Sequence, residues 1–204
     1  MAESVRIMGI DPGTNYMGYG IIDIVEGKPE AVVMGEIDLH KIGDAHLKLA
    51  HIFERVRSLT EGYTPDEVAF ESPFFGSNVQ SMLKLGRAQG VAIAAVLSLS
   101  RAIPIAEYAP SRIKQAMTGN GAATKQQVAT MINATLGTNY QPRKLDATDG
   151  MAVALCHWFT TSNVLTRATA GEHRKGLGGD SKSRRGSSSW ETFAKSNPER
   201  IKFK

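Results

Sequence analysis

The 204-residue chain has a single cysteine, Cys156. That excludes an internal disulfide framework and a multi-cysteine zinc site, and it suits a reducing compartment such as the cytoplasm. Long apolar runs are also missing. The longest, Val91 to Leu97, is far shorter than the ~20 residues that cross a bilayer, so no membrane span is expected. The opening MAESVRIMGID carries an acid and no apolar stretch of signal-peptide length, so no secretory leader is expected. No internal repeat is found. Large net charge is absent too: +4, with a pI of about 9.2, is only a weak pointer to a polyanion. What remains is average: 42% hydrophobic and 22% charged residues, enough for one good-sized core and too apolar for disorder throughout.

The charge is unevenly spread. Residues 164–204 hold ten Lys or Arg against four Asp or Glu, so residues 1–163 carry a net −2. Within that body, residues 101–144 contain Arg101, Arg112, Lys114, Lys125, Arg143 and Lys144 against one acid, Glu107. The tail is rich in Ser and Gly, with five serines between Ser181 and Ser189. Such a segment cannot bury enough apolar surface to offset its ordering entropy. Two parts are therefore expected: a folded domain over 1–163 and a basic, largely disordered tail over 164–204. Trp190, Phe193, Ile201 and Phe203 offer a short docking motif at its end.

Periodicity predicts three strands in a meander, Val5–Ile10, Gly18–Ile24 and Ala31–Leu39, with a turn at Glu26–Pro29. Helices are expected at Asp44–Leu59, Ser77–Ser98, Ser111–Met117, Lys125–Leu136 and Asp146–Phe159. Strands are expected at Glu67–Glu71 and Ile103–Ala106. Hairpins followed by alternating αβ units imply an α/β fold, a mixed sheet covered by helices.

Four carboxylates sit in telling places. Asp11 ends a buried strand before Pro12-Gly13; it reads as a turn residue or as a ligand at the mouth of a sheet. Glu71 ends another strand, as a solvated acid or, if that strand neighbours the first, as a companion to Asp11. Asp146 and Asp149 are three apart at a helix start. Each alone reads as a cap, and together they share one helix face. Four such oxygens suit two hard divalent cations, which activate water and stabilise the leaving oxygen of a phosphodiester. Without cations, like charges so close repel.

The motifs Gly9-Ile10-Asp11-Pro12-Gly13, Phe70-Glu71-Ser72-Pro73-Phe74-Phe75, Leu83-Lys84-Leu85-Gly86-Arg87-Ala88-Gln89-Gly90, Tyr108-Ala109-Pro110-Ser111-Arg112-Ile113-Lys114, Lys125-Gln126-Gln127-Val128 and Leu145-Asp146-Ala147-Thr148-Asp149-Gly150-Met151-Ala152 occur in order over residues 4–160. Together they closely resemble the RuvC-type Holliday-junction resolvases. That resemblance implies a ribonuclease-H-like fold, with a mixed five-stranded sheet flanked by helices. It implies Asp11, Glu71, Asp146 and Asp149 as catalytic, metal-binding acids. Some members carry His where Asp146 stands, and both versions are chemically reasonable. The cofactor implied is Mg2+, with Mn2+ able to substitute, at two ions per site. The tail has no counterpart in this pattern.

The activity implied is paired nicking of opposed strands of a four-way DNA junction in recombination and repair, leaving ligatable ends. Phe74 matches an aromatic position that stacks on an unpaired base; its alternative is a core ring. Lys114 and Lys125 match basic positions that contact phosphate; their alternative is a solvated helix face. Asn78, at a helix start, is a further phosphate contact. Arg112, Arg143 and Lys144 are lesser candidates. Gly86, Gly90 and Ala94 form a small-residue stripe on the long helix, for intrachain packing or for the homodimer the resemblance implies. RuvA and RuvB branch-migration proteins are implied partners.

Three rivals stand beside this reading. Asp11-Pro12-Gly13-Thr14 also resembles the first phosphate loop of ribonuclease-H-like ATPases and phosphotransferases. Those need a second Gly-rich loop in a longer, two-lobed chain, and neither that loop nor a P-loop lysine motif occurs here. A non-catalytic junction-binding module would not need all four acids. A nuclease acting on RNA is the third.

Overall fold

The computed structural model describes residues 4–73, 78–139 and 146–172, with the backbone alone at 146 and 163–172. The chain divides into two units, Met1–Thr166 and Arg167–Lys204. The first holds five strands, β1 (Val5–Asp11), β2 (Tyr16–Val25), β3 (Lys28–Asp38), β4 (Glu67–Glu71) and β5 (Ile105–Tyr108). Its helices are α1 (Ala45–Tyr63), α2 (Val79–Leu97), α3 (Pro110–Thr118), α4 (Lys125–Leu136) and α5, which starts at Asp146 and whose helical backbone continues to Glu172.

The sheet runs in the order β3-β2-β1-β4-β5. β1, β2 and β3 form the expected antiparallel meander, and β4 and β5 add in parallel beside β1. The hairpin turn uses positive φ at Glu26 (52°) and Gly27 (76°), which matches the right-handed twist of the strands it joins. β3 therefore starts at Lys28 and includes Pro29, earlier than expected. As an edge strand it tolerates the missing N–H. β5 lies later than Ile103–Ala106. Pro104 has no N–H to give, although its carbonyl accepts from the Val68 amide at 3.0 Å, and pairing begins at Ile105.

Alternation along the strands makes two cores. Met8, Ile10, Val68 and Phe70 point to one face, under Ile52 and Val56 of α1 and Ala88, Ala92 and Val96 of α2. Ile7, Ile22 and Ala69 point to the other, under Ile113, Val128, Ile132 and the run Met151–Cys156 of α5. This period-two rule puts Asp11 on the α5 face with Ile7, and Glu71 there with Ala69.

Local chemistry sets the helix ends. Asp44 caps α1, accepting from the His46 and Leu47 amides, and Thr64 closes it in the left-handed region. α1 thus runs past Leu59, stopping before Pro65. Asn78 caps α2, Pro110 starts α3, and Gly119 ends it at φ 75°. Thr124 and Gln127 make a capping box on α4. α5 exceeds the expected end at Phe159, and its last turns enter the stretch expected to lack structure. Residues 173–204 of the expected tail lie outside the described residues.

α5 lies unusually close to the sheet. A Cβ on Gly9 would stand 2.3 Å from the Ala154 nitrogen and the Gly150 carbonyl oxygen; one on Gly20, 2.5 Å from Met151 Cα; one on Gly150, 2.4 Å from Tyr19 Cα. Further along the helix, buried His157 bridges β4 and β5, with Nε2 2.6 Å from Glu67 and Nδ1 2.7 Å from the Tyr108 hydroxyl. Among the described residues no helix is long and apolar enough to cross a membrane.

Candidate active site

Parallel pairing between β1 and β4 reaches Ile10 opposite Phe70, so the next residues, Asp11 and Glu71, leave the sheet side by side. α5 begins across the same face, and its first full turn brings Asp149. These three acids line one cavity of about 170 Å³, together with Pro110, Ile113, Lys114, Lys125, Val128 and Ala152. The walls come from α3 and α4, whose amphipathic faces pack on the sheet and whose lysines tip into the opening.

The cavity concentrates charge in a half-buried place. Burial and the Asp149 carboxylate raise the Glu71 pKa to about 7, against the partial relief of Lys125 and Lys114. Lys125 Nζ lies 2.5 Å from the Asp149 carboxylate. Among the described side chains no three acidic, imidazole or thiol groups already converge tightly enough to hold an ion. The donor set nevertheless fits hard divalent cations. It is all oxygen, it is open on one side, and Glu71 is disfavoured as an anion for want of positive charge nearby.

The turn after Asp11 is pinned from outside the motif. Lys48 of α1 donates to the Thr14 carbonyl (2.9 Å) and to Asn15 Oδ1 (3.2 Å), and the Leu39 amide donates to the Asn15 carbonyl (2.8 Å). No sequence signal marks Lys48, which is 34 residues from Thr14. The small residues Gly9, Gly20 and Gly150 do leave a sequence signal, since glycine inside a strand marks close backbone approach.

Of the eight site residues read from the sequence, Asp11, Glu71, Asp149, Lys114 and Lys125 meet in this cavity. Asp146 begins α5 one turn ahead of Asp149, and its side chain lies outside the described residues, as does Phe74. Asn78 is not part of the cavity lining. Its Oδ1 accepts from the Ser81 amide at 3.1 Å, which uses that oxygen as a cap.

Comparison with known proteins agrees with this geometry. Residues 7–157 match the family described as crossover junction endodeoxyribonuclease RuvC. The RuvC of Bacteroides fragilis is 51% identical over 198 residues, covering 96% of this chain and 95% of that protein. The RuvC of Cytophaga hutchinsonii is 49% identical, covering 96% and 88%. Alignments that long take in most of residues 164–204, so the tail does have counterparts, contrary to the expectation above. Among solved structures, Thermus thermophilus RuvC in complex with a Holliday junction substrate superposes with a TM-score of 0.71 at 30% identity, over 78% of this chain and 96% of that one. The five-stranded mixed sheet with its flanking helices is thus the ribonuclease-H-like fold of these resolvases. By its match across the whole folded domain and its identity to these relatives, the chain belongs to the RuvC family of crossover junction endodeoxyribonucleases.

Proposed function

We propose that this protein resolves four-way DNA junctions by a pair of metal-dependent nicks in opposed strands. The observation that carries the reading is the junction of strand ends and helix start: Asp11, Glu71 and Asp149 in one cavity with Lys114 and Lys125. An acid set that takes cations, rimmed by ammonium groups that take phosphate, is built for phosphodiester hydrolysis.

Asp11, Glu71 and Asp149, with Asp146, would hold Mg2+, or Mn2+ in its place, at two ions per site. Such ions when bound activate water and stabilise the leaving oxygen. Asp11 and Glu71 are held by adjacent strands, so their spacing follows the sheet. Asp149 is held by the close seat of α5. Lys114 and Lys125 orient the phosphate and fix register on the backbone. Phe74 stacks on a base unpaired at the crossover, a contact worth ~1–3 kcal/mol, and the Asn78 amide nitrogen is left to meet a phosphate.

A homodimer supplies the second nick. Val79, Leu83 and Leu97 of α2 are 63%, 53% and 59% exposed. A Cβ on Gly86 or Gly90, on the same face, would meet nothing within 4 Å. Packing within the chain therefore does not account for the small residues, and close approach of a second α2 does. RuvA and RuvB are the partners proposed for branch migration, and the cytoplasm is the place of action. The phosphotransferase rival lacks support from a second phosphate loop.

The test is cutting of a synthetic four-way junction beside a linear duplex, with Mg2+ and then Mn2+. The junction should be nicked symmetrically and the duplex spared. Asp11→Asn should bind the junction as before and cut it about 100-fold more slowly or worse. Undiminished cutting by that variant would overturn the assignment.

A further inference from the structure

A larger cavity, about 390 Å³, opens on the opposite face of the sheet, between α1 and α2. Lys48, Lys84, Arg87 and His46 stand around it, and its rim is Thr14 and Asn15. Its described lining contains no Asp or Glu. The neighbouring carboxylate, Asp44, is turned back onto the His46 and Leu47 amides. Lys84 and Arg87 are exposed, one turn apart on α2, so a stretch of positive potential faces solvent there. These three cations lie outside residues 101–144, the basic stretch that lines the catalytic cavity.

The rim gives the groove its meaning. Thr14 and Asn15 belong to the same turn as Asp11. Three peptide units separate Asp11 from Thr14, a contour of at most about 11 Å, which a duplex arm covers in about three base steps. A strand that leaves the catalytic cavity over this turn arrives at the groove. Lys48 is spent on the turn itself, through Thr14 and Asn15, which leaves Lys84 and Arg87 as the outward cations. Their place beside the exposed α2 stripe puts them at the edge of the proposed dimer face, where arms of one junction would pass both protomers.

We propose that the α1–α2 groove is a second phosphate-binding surface, in which Lys84 and Arg87 hold the backbone of the DNA arm that runs from the catalytic cavity over the Asp11–Tyr16 turn. This rests on the junction-nuclease reading above. The role is positioning: the two side chains touch DNA away from the reacting phosphate and set how the arm lies.

The experiment compares the full-length parent, Lys84→Ala/Arg87→Ala, and the charge-keeping Lys84→Arg/Arg87→Lys. Binding of a fluorescent four-way junction is measured across a salt series, with single-turnover cutting at saturating junction and sedimentation of the free protein. Two lost phosphate contacts should make the slope of log K against log salt shallower by about 1.8. The saturated cutting rate should stay within about twofold, and the charge-keeping variant should restore the parent slope. An unchanged slope in the alanine variant, with a parent that binds and cuts, overturns the groove alone. A shallower slope accompanied by loss of the dimer or of thermal stability also overturns it, because the residues then act through assembly or folding. A parent that neither binds nor cuts junctions overturns the nuclease reading and this proposal with it.

Discussion

Replacing Gly150 by alanine adds one methyl group where the helix meets the sheet. That methyl would stand 2.4 Å from Tyr19 Cα and 2.6 Å from the Tyr19 nitrogen and carbonyl carbon. All three are backbone atoms of a central strand, so no side chain can rotate away. Ordinary contact begins near 3.4 Å, and α5 must back off by about 1 Å to reach it. In an exposed helix the same change gains about 1 kcal/mol of propensity. Here overpacking should outweigh it, for a net loss of about 1–3 kcal/mol, or a fall in Tm of roughly 3–10 °C for a domain of this size. Asp149 precedes Gly150 and moves with the helix, away from Asp11 and Glu71. A displacement of about 1 Å at a reacting centre costs ~100-fold in rate. The assays are thermal melting by circular dichroism and single-turnover junction cutting at saturating Mg2+, well below the melting range. Gly62→Ala in α1, whose Cβ meets nothing within 4 Å, is the control and should melt at or above the parent. A Gly150→Ala protein that melts like the parent and cuts at the parent rate would refute the close-seat argument.

Three further outcomes follow from other parts of the structure. In the metal-free protein Glu71 holds its proton to about pH 7, while in the unfolded chain it ionises near 4.5. The folded state thus binds more protons between those values, and this group's contribution to stability declines as pH rises from 4.5 to 7. Urea melts in EDTA should show Glu71→Gln gaining about 2 kcal/mol over the parent between pH 5 and pH 8; an equal difference at both pH values would contradict it. Gly90→Glu should leave the monomer fold intact, since its Cβ enters open space, yet sedimentation should show a monomer and junction cutting should lose its pairing of nicks. His157→Leu leaves Glu67 and the Tyr108 hydroxyl without the imidazole; it should cost about 1–3 kcal/mol with little change in cutting below the melting range, read by melts and single-turnover rates.

Much of the fold was legible locally. The alternation in Val5–Asp11 and Glu67–Glu71 marked buried strands because one face of each carries Met8, Ile10, Val68 and Phe70 into a core. Caps and breakers marked the helices at Asp44, Thr124 and Gly119. Boundaries went astray where local rules compete with tertiary ones. Pro29 entered a strand because that strand is an edge, and β5 shifted past Pro104 because pairing with β4 needs an N–H. The helical backbone beyond Phe159 had no local apolar stripe to announce it.

For the site, residue identity carried a great deal. The four acids, two lysines and their order along the chain pointed to a metal-dependent phosphodiesterase of a particular family before any coordinates. What identity could not supply was proximity. Asp11 and Glu71 are neighbours only because β4 inserts in parallel beside β1, a pairing that forms across sixty residues of intervening chain. Asp149 joins them only because three glycines let α5 settle onto the strands. Lys48 on the Asp11 turn and the cations of the α1–α2 groove meet through packing of α1 against α2, which leaves no periodic mark. The sequence by itself determined the chemistry available, since chemistry resides in side chains. The tertiary structure alone decided which of those side chains share a cavity, since that depends on strand order, register and the approach of backbones.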